Sequence, residues 1–494
     1  MVVFPVGLAD IFPGVINLFP CGCIEEQGQK RKARVRMWAW WNRHVLQPVV
    51  AWKNGSRHLE YLAELERRQW DPPEEIAARQ WSAVQEQLHY AYAHVPYYRR
   101  RWKALGIHPS DIRQPMDLQQ LPVLSKSEIR RHGTELCAEG VDRRNWRIKR
   151  TSGSTGVPLT IWIDEAAVQW KTACTLRSDQ WSGWRLGERV AKVWGNPEYR
   201  HQGWRGWLRN LVLERAYYLD TLGMDRKRML DFIVQMHRKP PALLFGHAHS
   251  LYLLADMMRR ERLGGVRPKG IIATAMILHR WQRSVIEQVF GVAVTDRYGC
   301  EEVSLIACEC EQHRGLHLNA DSVYVEVMDL RPTATPGEVA GRLLVTDLSN
   351  RAMPLIRYQI GDVVVPSSRR CPCGRGLPLI ERVEGREADY VLTPQGQLIS
   401  GISLTENFAL HIPGAAQVQI IQESLHELRI RLVPDADFGP QSRQKIATLV
   451  KQLFGPEVDH EVELVEQIPQ EASGKYRFCI SRVWKESAAE ISAV

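Results

Sequence analysis

No stretch of this 494-residue chain is long and apolar enough to span a bilayer. Met1–Cys23 comes nearest, yet Pro5, Asp10, Pro13 and Pro20 interrupt it. The basic cluster Lys30–Arg36 also follows it, where a secretory leader carries its positive charge in front. Residues 1–36 therefore read as an extension ahead of a start at Met37, with contact at a membrane surface as the alternative. Zinc-finger spacing, a DNA-recognition helix and an aromatic RNA-binding signature are all missing. The formal charge of +9 is spread among acidic residues, which describes a solvated surface facing a polyanionic ligand or an anionic membrane rather than a nucleic-acid binder. The glycine-rich loop that ends in Gly-Lys-Ser or Gly-Lys-Thr is absent, as are internal repeats and low-complexity tracts. Cysteine is sparse: ten residues in so long a chain do not build a disulfide scaffold. The close pairs Cys21/Cys23, Cys308/Cys310 and Cys371/Cys373 instead point to thiols and metal in a reducing cytoplasm.

What remains is a globular chain, 44 % hydrophobic and 24 % charged, too long for one hydrophobic core. Asp71 and Pro72 supply a cap and a first-turn proline, after which Trp81, Val84, Leu88, Ala91 and Val95 recur at helical spacing up to Pro96. Between about residues 145 and 380, apolar strands alternate with helical stretches: Ile271–Ala275, Ala293–Asp296, Tyr324–Val327, Leu343–Thr346 and Val363–Val365. Beyond residue 384 the style changes. Period-two strands (Leu428, Ile430, Leu432; Val462, Leu464) flank an amphipathic helix marked by Ile446, Leu449, Val450, Leu453 and Phe454. The fold expected is α/β, with a large multi-layer N-terminal domain over 37–383 and a smaller, mobile α+β C-terminal domain over 384–494. Most of the seventeen tryptophans are expected in the core.

Four segments carry chemistry. Thr151-Ser152-Gly153-Ser154-Thr155-Gly156-Val157-Pro158 packs two glycines and four hydroxyls into eight residues, so amides and hydroxyls can wrap phosphate oxygens. A hydroxyl-rich linker is the bland alternative. Asp296-Arg297-Tyr298-Gly299-Cys300-Glu301-Glu302 follows an apolar strand and sets a ring and a carboxylate at a strand end, where α/β proteins bind ligands. Tyr298 can stack on a base there, and Glu302 can hold magnesium, a hard cation that takes oxygen ligands. Asp362, beside Gly361 and ahead of Val363–Val365, is suited to accept from a ribose diol. Finally, Cys308, Cys310, His313 and His317, with Cys371/Cys373 about sixty residues on, offer more sulfur and imidazole donors than the four a tetrahedral zinc needs. The spacing leaves the choice among them open.

With Gln119–Lys126, Thr346-Asp347-Leu348, Gly385-Arg386-Glu387-Ala388-Asp389, Cys371-Pro372-Cys373-Gly374-Arg375 and Ser473-Gly474-Lys475-Tyr476-Arg477, these segments resemble the acyl-adenylate-forming superfamily. The resemblance is closest to its phenylacetate–coenzyme A ligase-like branch, which includes relatives encoded in capsular polysaccharide clusters, and covers roughly residues 57 to 480. It implies an adenylation domain followed by a C-terminal lid, and activation of a small-molecule carboxylate by ATP with release of pyrophosphate. Coenzyme A, or an external polysaccharide, amine or carrier protein, then takes the acyl group. Ser152, Gly153, Ser154, Thr155 and Gly156 would cradle the phosphates, Tyr298 and Gly299 border adenine, Glu302 bind Mg2+, Asp362 and Arg386 hold the ribose, and Lys475 act as the catalytic cation. Cys310, His317, Cys371 and Cys373 would hold a structural Zn2+, with Cys308 or His313 as substitutes. A homodimer is the branch's expected assembly. Two positions depart from the superfamily pattern: Ala388 stands where the hinge acid usually is, and Leu159 where many members carry lysine. His247 is either an acyl-pocket residue or a packing histidine. The reading from another class is a nucleotide-binding scaffold that has lost catalysis, against which Glu302 and Lys475 both argue.

Overall fold

The computed structural model describes residues 37–150, 159–194, 206–207, 209–221, 224–333, 335, 337–386, 390–394, 398–400, 404, 408–468 and 478–483. The chain divides into two compact units that interleave in sequence. One is built from Met1–Leu59, Asp179–Ala273 and Arg280–Thr295, the other from Glu60–Ser178, Thr274–His279 and Asp296–Val494.

In the first unit, strand Val190–Val193 runs parallel to both Ala216–Leu219 and Leu243–His247. Helices Arg226–Arg238 and Ala248–Arg260 follow the latter two strands, as parallel pairing requires a crossover. Gly246 is obligatory in this packing, because a Cβ there would lie 2.7 Å from the carbonyl oxygen of Val193. His247 caps the start of Ala248–Arg260 by position and lays its ring on Trp194, with centroids 4.1 Å apart.

In the second unit antiparallel strands lie in the order Val323–Pro332, Val339–Asp347, Tyr358–Pro366, Leu379–Arg386, Leu316–Leu318, Ser304–Glu309 and the part of Val294–Cys300 from Asp296 onward. Strand Tyr358–Pro366 buries alternate side chains, so Tyr358, Ile360, Asp362 and Val364 share the inner face. Asp362 is the polar member of that set, only 7 % exposed. Helix Pro73–His94 packs Val84, Leu88 and Ala91 into the same core. It begins one residue later than the sequence suggests: Pro72 occupies the cap and Pro73 the first turn, while Asp71 pairs with Arg79 at 3.0 Å.

The C-terminal stretch forms a four-stranded sheet in the order Asp459–Leu464, Glu427–Pro434, Ala415–Ser424, Cys479–Ser481. Leu428, Ile430 and Leu432 alternate inward against Ile446, Leu449, Val450 and Phe454 of helix Pro440–Phe454, giving this sheet a core of its own. Leu464 ends the edge strand and is 45 % exposed, which its place in a period-two pattern did not suggest. Among the described residues no helix is long and apolar enough to cross a membrane. Among the described residues the tryptophans divide: Trp102, Trp181 and Trp184 are buried, Trp81, Trp146, Trp162, Trp170, Trp194 and Trp281 are half-buried, and Trp38, Trp40, Trp41, Trp52, Trp70 and Trp207 are exposed.

Candidate functional site

Two phenol–carboxylate pairs stand side by side on the second unit's sheet. Tyr298 donates its hydroxyl to Asp362 Oδ2 at 2.6 Å, joining the end of Val294–Cys300 to the middle of Tyr358–Pro366. Tyr358, four residues before Asp362 on the same strand face, donates to Glu302 Oε1 at 2.9 Å. Glu302 is 7 % exposed, Tyr358 fully buried, and burial followed by the Glu302 charge pushes the Tyr358 phenol far above its ordinary range. The Cys300 thiol is raised for the same two reasons, in the same order. Tyr298, Glu302 and Asp362 were legible in the sequence; Tyr358 was not, although its even spacing from Asp362 along a strand was the available signal.

The turn that carries Glu302 is tightly determined. Strands Val294–Cys300 and Ser304–Glu309 slip register between Tyr298 and Gly299, and a Cβ on Gly299 would stand 2.5 Å from the Ser304 carbonyl oxygen. Ser304 itself adopts a left-handed φ of 69°, which costs energy for a side-chain-bearing residue. Two lysines hold the turn. Lys149 Nζ donates to Ser304 Oγ at 2.9 Å and to the Glu301 carbonyl at 3.4 Å. Lys171 Nζ donates to the Val303 carbonyl at 3.2 Å and to Asp347 Oδ2 at 2.5 Å. Burial, then the nearby Lys171 charge, lowers the Lys149 pKa. Asp347 is wholly buried and is also bonded by the backbone N–H groups of Ser349 and Asn350.

Lys149 lies on Arg147–Arg150, which pairs antiparallel with Thr160–Ile163 so that Arg150 faces Thr160. The connection between those strands is residues 151–159. Its Ser152, Gly153, Ser154, Thr155 and Gly156 lie outside the described residues, as do Lys475, Ala388 and Asp389. Leu159, where the resemblance expects a lysine in many members, is buried in the core. Arg386 is placed by its backbone, directly opposite Asp362 across the strand pair. Tyr298, Gly299, Glu302, Asp362 and the Arg386 backbone thus come together.

A second cluster gathers Cys310, His317, Cys371 and Cys373, whose ligand atoms all lie within 4.8 Å of one another. Cys310 Sγ is 3.6 Å from Cys371 Sγ, and Cys373 Sγ is 3.3 Å from His317 Nε2. A zinc tetrahedron has edges of about 3.8 Å between sulfurs and about 3.6 Å between sulfur and nitrogen, so the donor set fits that ion. His317 Nδ1 donates to the Leu377 carbonyl at 3.2 Å, which leaves Nε2 unprotonated toward the thiols. Burial lowers the His317 pKa to about 4, keeping the ring neutral. The amides of Gln312 and Arg375 donate to Cys310 Sγ and Cys373 Sγ at 3.5 and 3.4 Å, as suits thiolates. His313 turns instead to Glu309 Oε2 at 3.2 Å, and Cys308 is buried but is not one of the four converging groups.

A family model described as the CapK C-terminal domain matches residues 391–482. The phenylacetate-coenzyme A ligase of Aromatoleum evansii is 23 % identical over 431 residues, covering 83 % of this chain and 92 % of that protein. Protein CapK of Staphylococcus aureus is 22 % identical over 380 residues, which is 74 % of this chain and 81 % of that one. Among solved structures, 2-hydroxyisobutyryl-CoA ligase in the postadenylation state in complex with 2-HIB-AMP matches with a TM-score of 0.66 at 22 % identity, covering 86 % of this chain and 94 % of that chain. At that identity the structural likeness is one of fold, a mixed α/β architecture with a large multi-strand sheet and a smaller C-terminal sheet.

Proposed function

We propose that this chain, whose sequence and fold match the phenylacetate–coenzyme A ligase-like branch of the acyl-adenylate-forming superfamily, is an AMP-forming ligase that activates a carboxylic acid with ATP and passes the acyl group to coenzyme A. The observation that carries this reading is the Tyr298–Asp362 pair set beside the buried Glu302. Tyr298 fixes the orientation of the Asp362 carboxylate, which accepts from the ribose hydroxyls while Arg386 donates to their oxygens, and the Tyr298–Gly299 edge borders adenine. Glu302, held by Tyr358, supplies a hard oxygen ligand for Mg2+. Ser152–Gly156 receives the phosphates, next to a strand that Lys149 ties to the Glu302 turn.

In the first step a substrate carboxylate oxygen attacks the α-phosphorus, the bond to the β-phosphate breaks, and pyrophosphate leaves. Negative charge builds on the phosphoryl oxygens, where Lys475 stabilises the transition state more than the ground state. In the second step a thiolate attacks the acyl carbonyl and AMP departs. A lid that excludes water during the first step and opens for the second acceptor protects the adenylate from hydrolysis. The CapK C-terminal match over 391–482 favours a second reading, in which a cell-surface polysaccharide precursor or other external nucleophile replaces coenzyme A.

Cys310, His317, Cys371 and Cys373 would hold a structural zinc. With four protein ligands such an ion would brace the strands around Leu316–Leu318 and leave no open position for chemistry. The activity test is acid-dependent ATP–pyrophosphate exchange across aryl, fatty and hydroxy acids. Thioester formation on adding coenzyme A supports the first reading, and exchange without thioester supports the second. ATP binding with no exchange for any acid contradicts both.

A further inference from the structure

Residues 37–53 are helical, with a wider turn at Asn42–Leu46, and are anchored to the first unit along one side only. Ala39, Asn42 and Ala51 are buried. The Asn42 amide donates to the carbonyls of Val212 and Leu213 at 2.5 and 3.3 Å, and Arg43 Nε donates to the Leu186 carbonyl at 3.0 Å. Gly187 fits so closely here that a Cβ would stand 2.8 Å from Asn42 Oδ1. The other side is bare: Met37 is 65 % exposed, Trp38 40 %, Trp40 56 %, Trp41 48 %, Val49 55 % and Trp52 84 %. At helical spacing, Met37, Trp40 and Trp41 cover the arc opposite Ala39 and Asn42, and Trp38 stands at its edge. Residues 209–214, which Asn42 binds, carry Leu211 at 55 % exposure, and Trp207 just before them is 63 % exposed.

Isolated apolar residues on a surface mean little, but so dense a set of large ones marks a surface that something covers. Its chemistry selects the partner. Tryptophan joins a broad apolar ring to an N–H group and settles at the depth of lipid headgroups. Residues 37–53 contain Arg43, His44 and Lys53 and no aspartate or glutamate, and the preceding residues 30–36 hold five basic residues and no acidic one. A two-fold contact between copies would set this face against itself, with no carboxylate in the segment to meet its basic groups. A bilayer rich in anionic lipid meets both requirements, since it accepts the rings and attracts the cations.

We propose that the tryptophan-bearing face of residues 37–53 docks the chain on the surface of anionic membranes, without spanning them. The inference is independent of the catalytic reading. It is tested by co-sedimenting the full chain with phosphatidylcholine vesicles, with and without phosphatidylglycerol, beside a Trp40→Ala/Trp41→Ala/Trp52→Ala variant. The wild type is expected to sediment with the anionic vesicles, more weakly as salt rises, and to show tryptophan quenching by brominated lipid. The triple variant should partition roughly tenfold or more weakly, with its thermal midpoint and gel-filtration volume unchanged. Three results overturn the proposal: wild type that stays in the supernatant with anionic vesicles, a triple variant that sediments as well as wild type, or a wild-type dimer that the three substitutions convert to monomer. The last would assign the face to a second copy of the chain.

Discussion

Lys171 and Asp347 are 4 % and 0 % exposed and 2.5 Å apart, so neither charge has water to fall back on. Removing one partner of such a pair strands the other, and Lys171→Met should destabilise the fold by about 3–5 kcal/mol. Denaturant unfolding checks this, and a loss below about 1 kcal/mol would mean that the Ser349 and Asn350 amides alone satisfy Asp347. At the proposed nucleotide site the expected pattern is different. Tyr298→Phe removes one hydrogen bond to Asp362, worth about 0.5–1.5 kcal/mol, and so should raise the KM for ATP several-fold with little change in the thermal midpoint. Asp362→Ala should raise it further. A fall in thermal midpoint with unaltered KM in both variants would make the pair a packing feature only.

Single elements show what the sequence disclosed and what it hid. The apolar run Val363–Val365 was legible as a strand, yet the strand begins at Tyr358, because Gln359, Gly361 and Asp362 break the hydrophobic pattern while the backbone continues. Tyr358 was hidden for the same reason, since it lies ahead of the residues that interrupt the pattern. The knuckle around Cys371 and Cys373 was legible because its donors are close in sequence. Choosing Cys310 over Cys308 and His317 over His313 requires the strand pairing that sets Leu379 opposite His317 and the turn that sends His313 to Glu309. No local period connects Lys171 to Asp347, 176 positions away, so that bridge was invisible. For the knuckle itself, elemental analysis of the purified chain should find about one zinc per chain, and Cys371→Ser should lose the zinc and lower the thermal midpoint. A metal content untouched by Cys371→Ser would contradict the assigned ligands.

Over the whole molecule, hydropathy and spacing were enough to expect a large α/β part and a smaller C-terminal sheet. They did not reveal that the chain's compact units interleave, with residues 274–279 grouped apart from both flanking segments. Composition was equally silent on which tryptophans face water, since an amphipathic ring is at home in a core or at an interface. In the proposed function the Tyr298–Asp362 pair and the Glu302 turn serve one step, formation of an acyl-adenylate. ATP–pyrophosphate exchange measures that step alone, before any acceptor is involved. The account predicts exchange that appears only with a cognate carboxylic acid, and that Lys475→Ala lowers it by about 100- to 1000-fold while ATP binding persists. Exchange that survives Lys475→Ala undiminished, or ATP binding with no acid-dependent exchange, would contradict it.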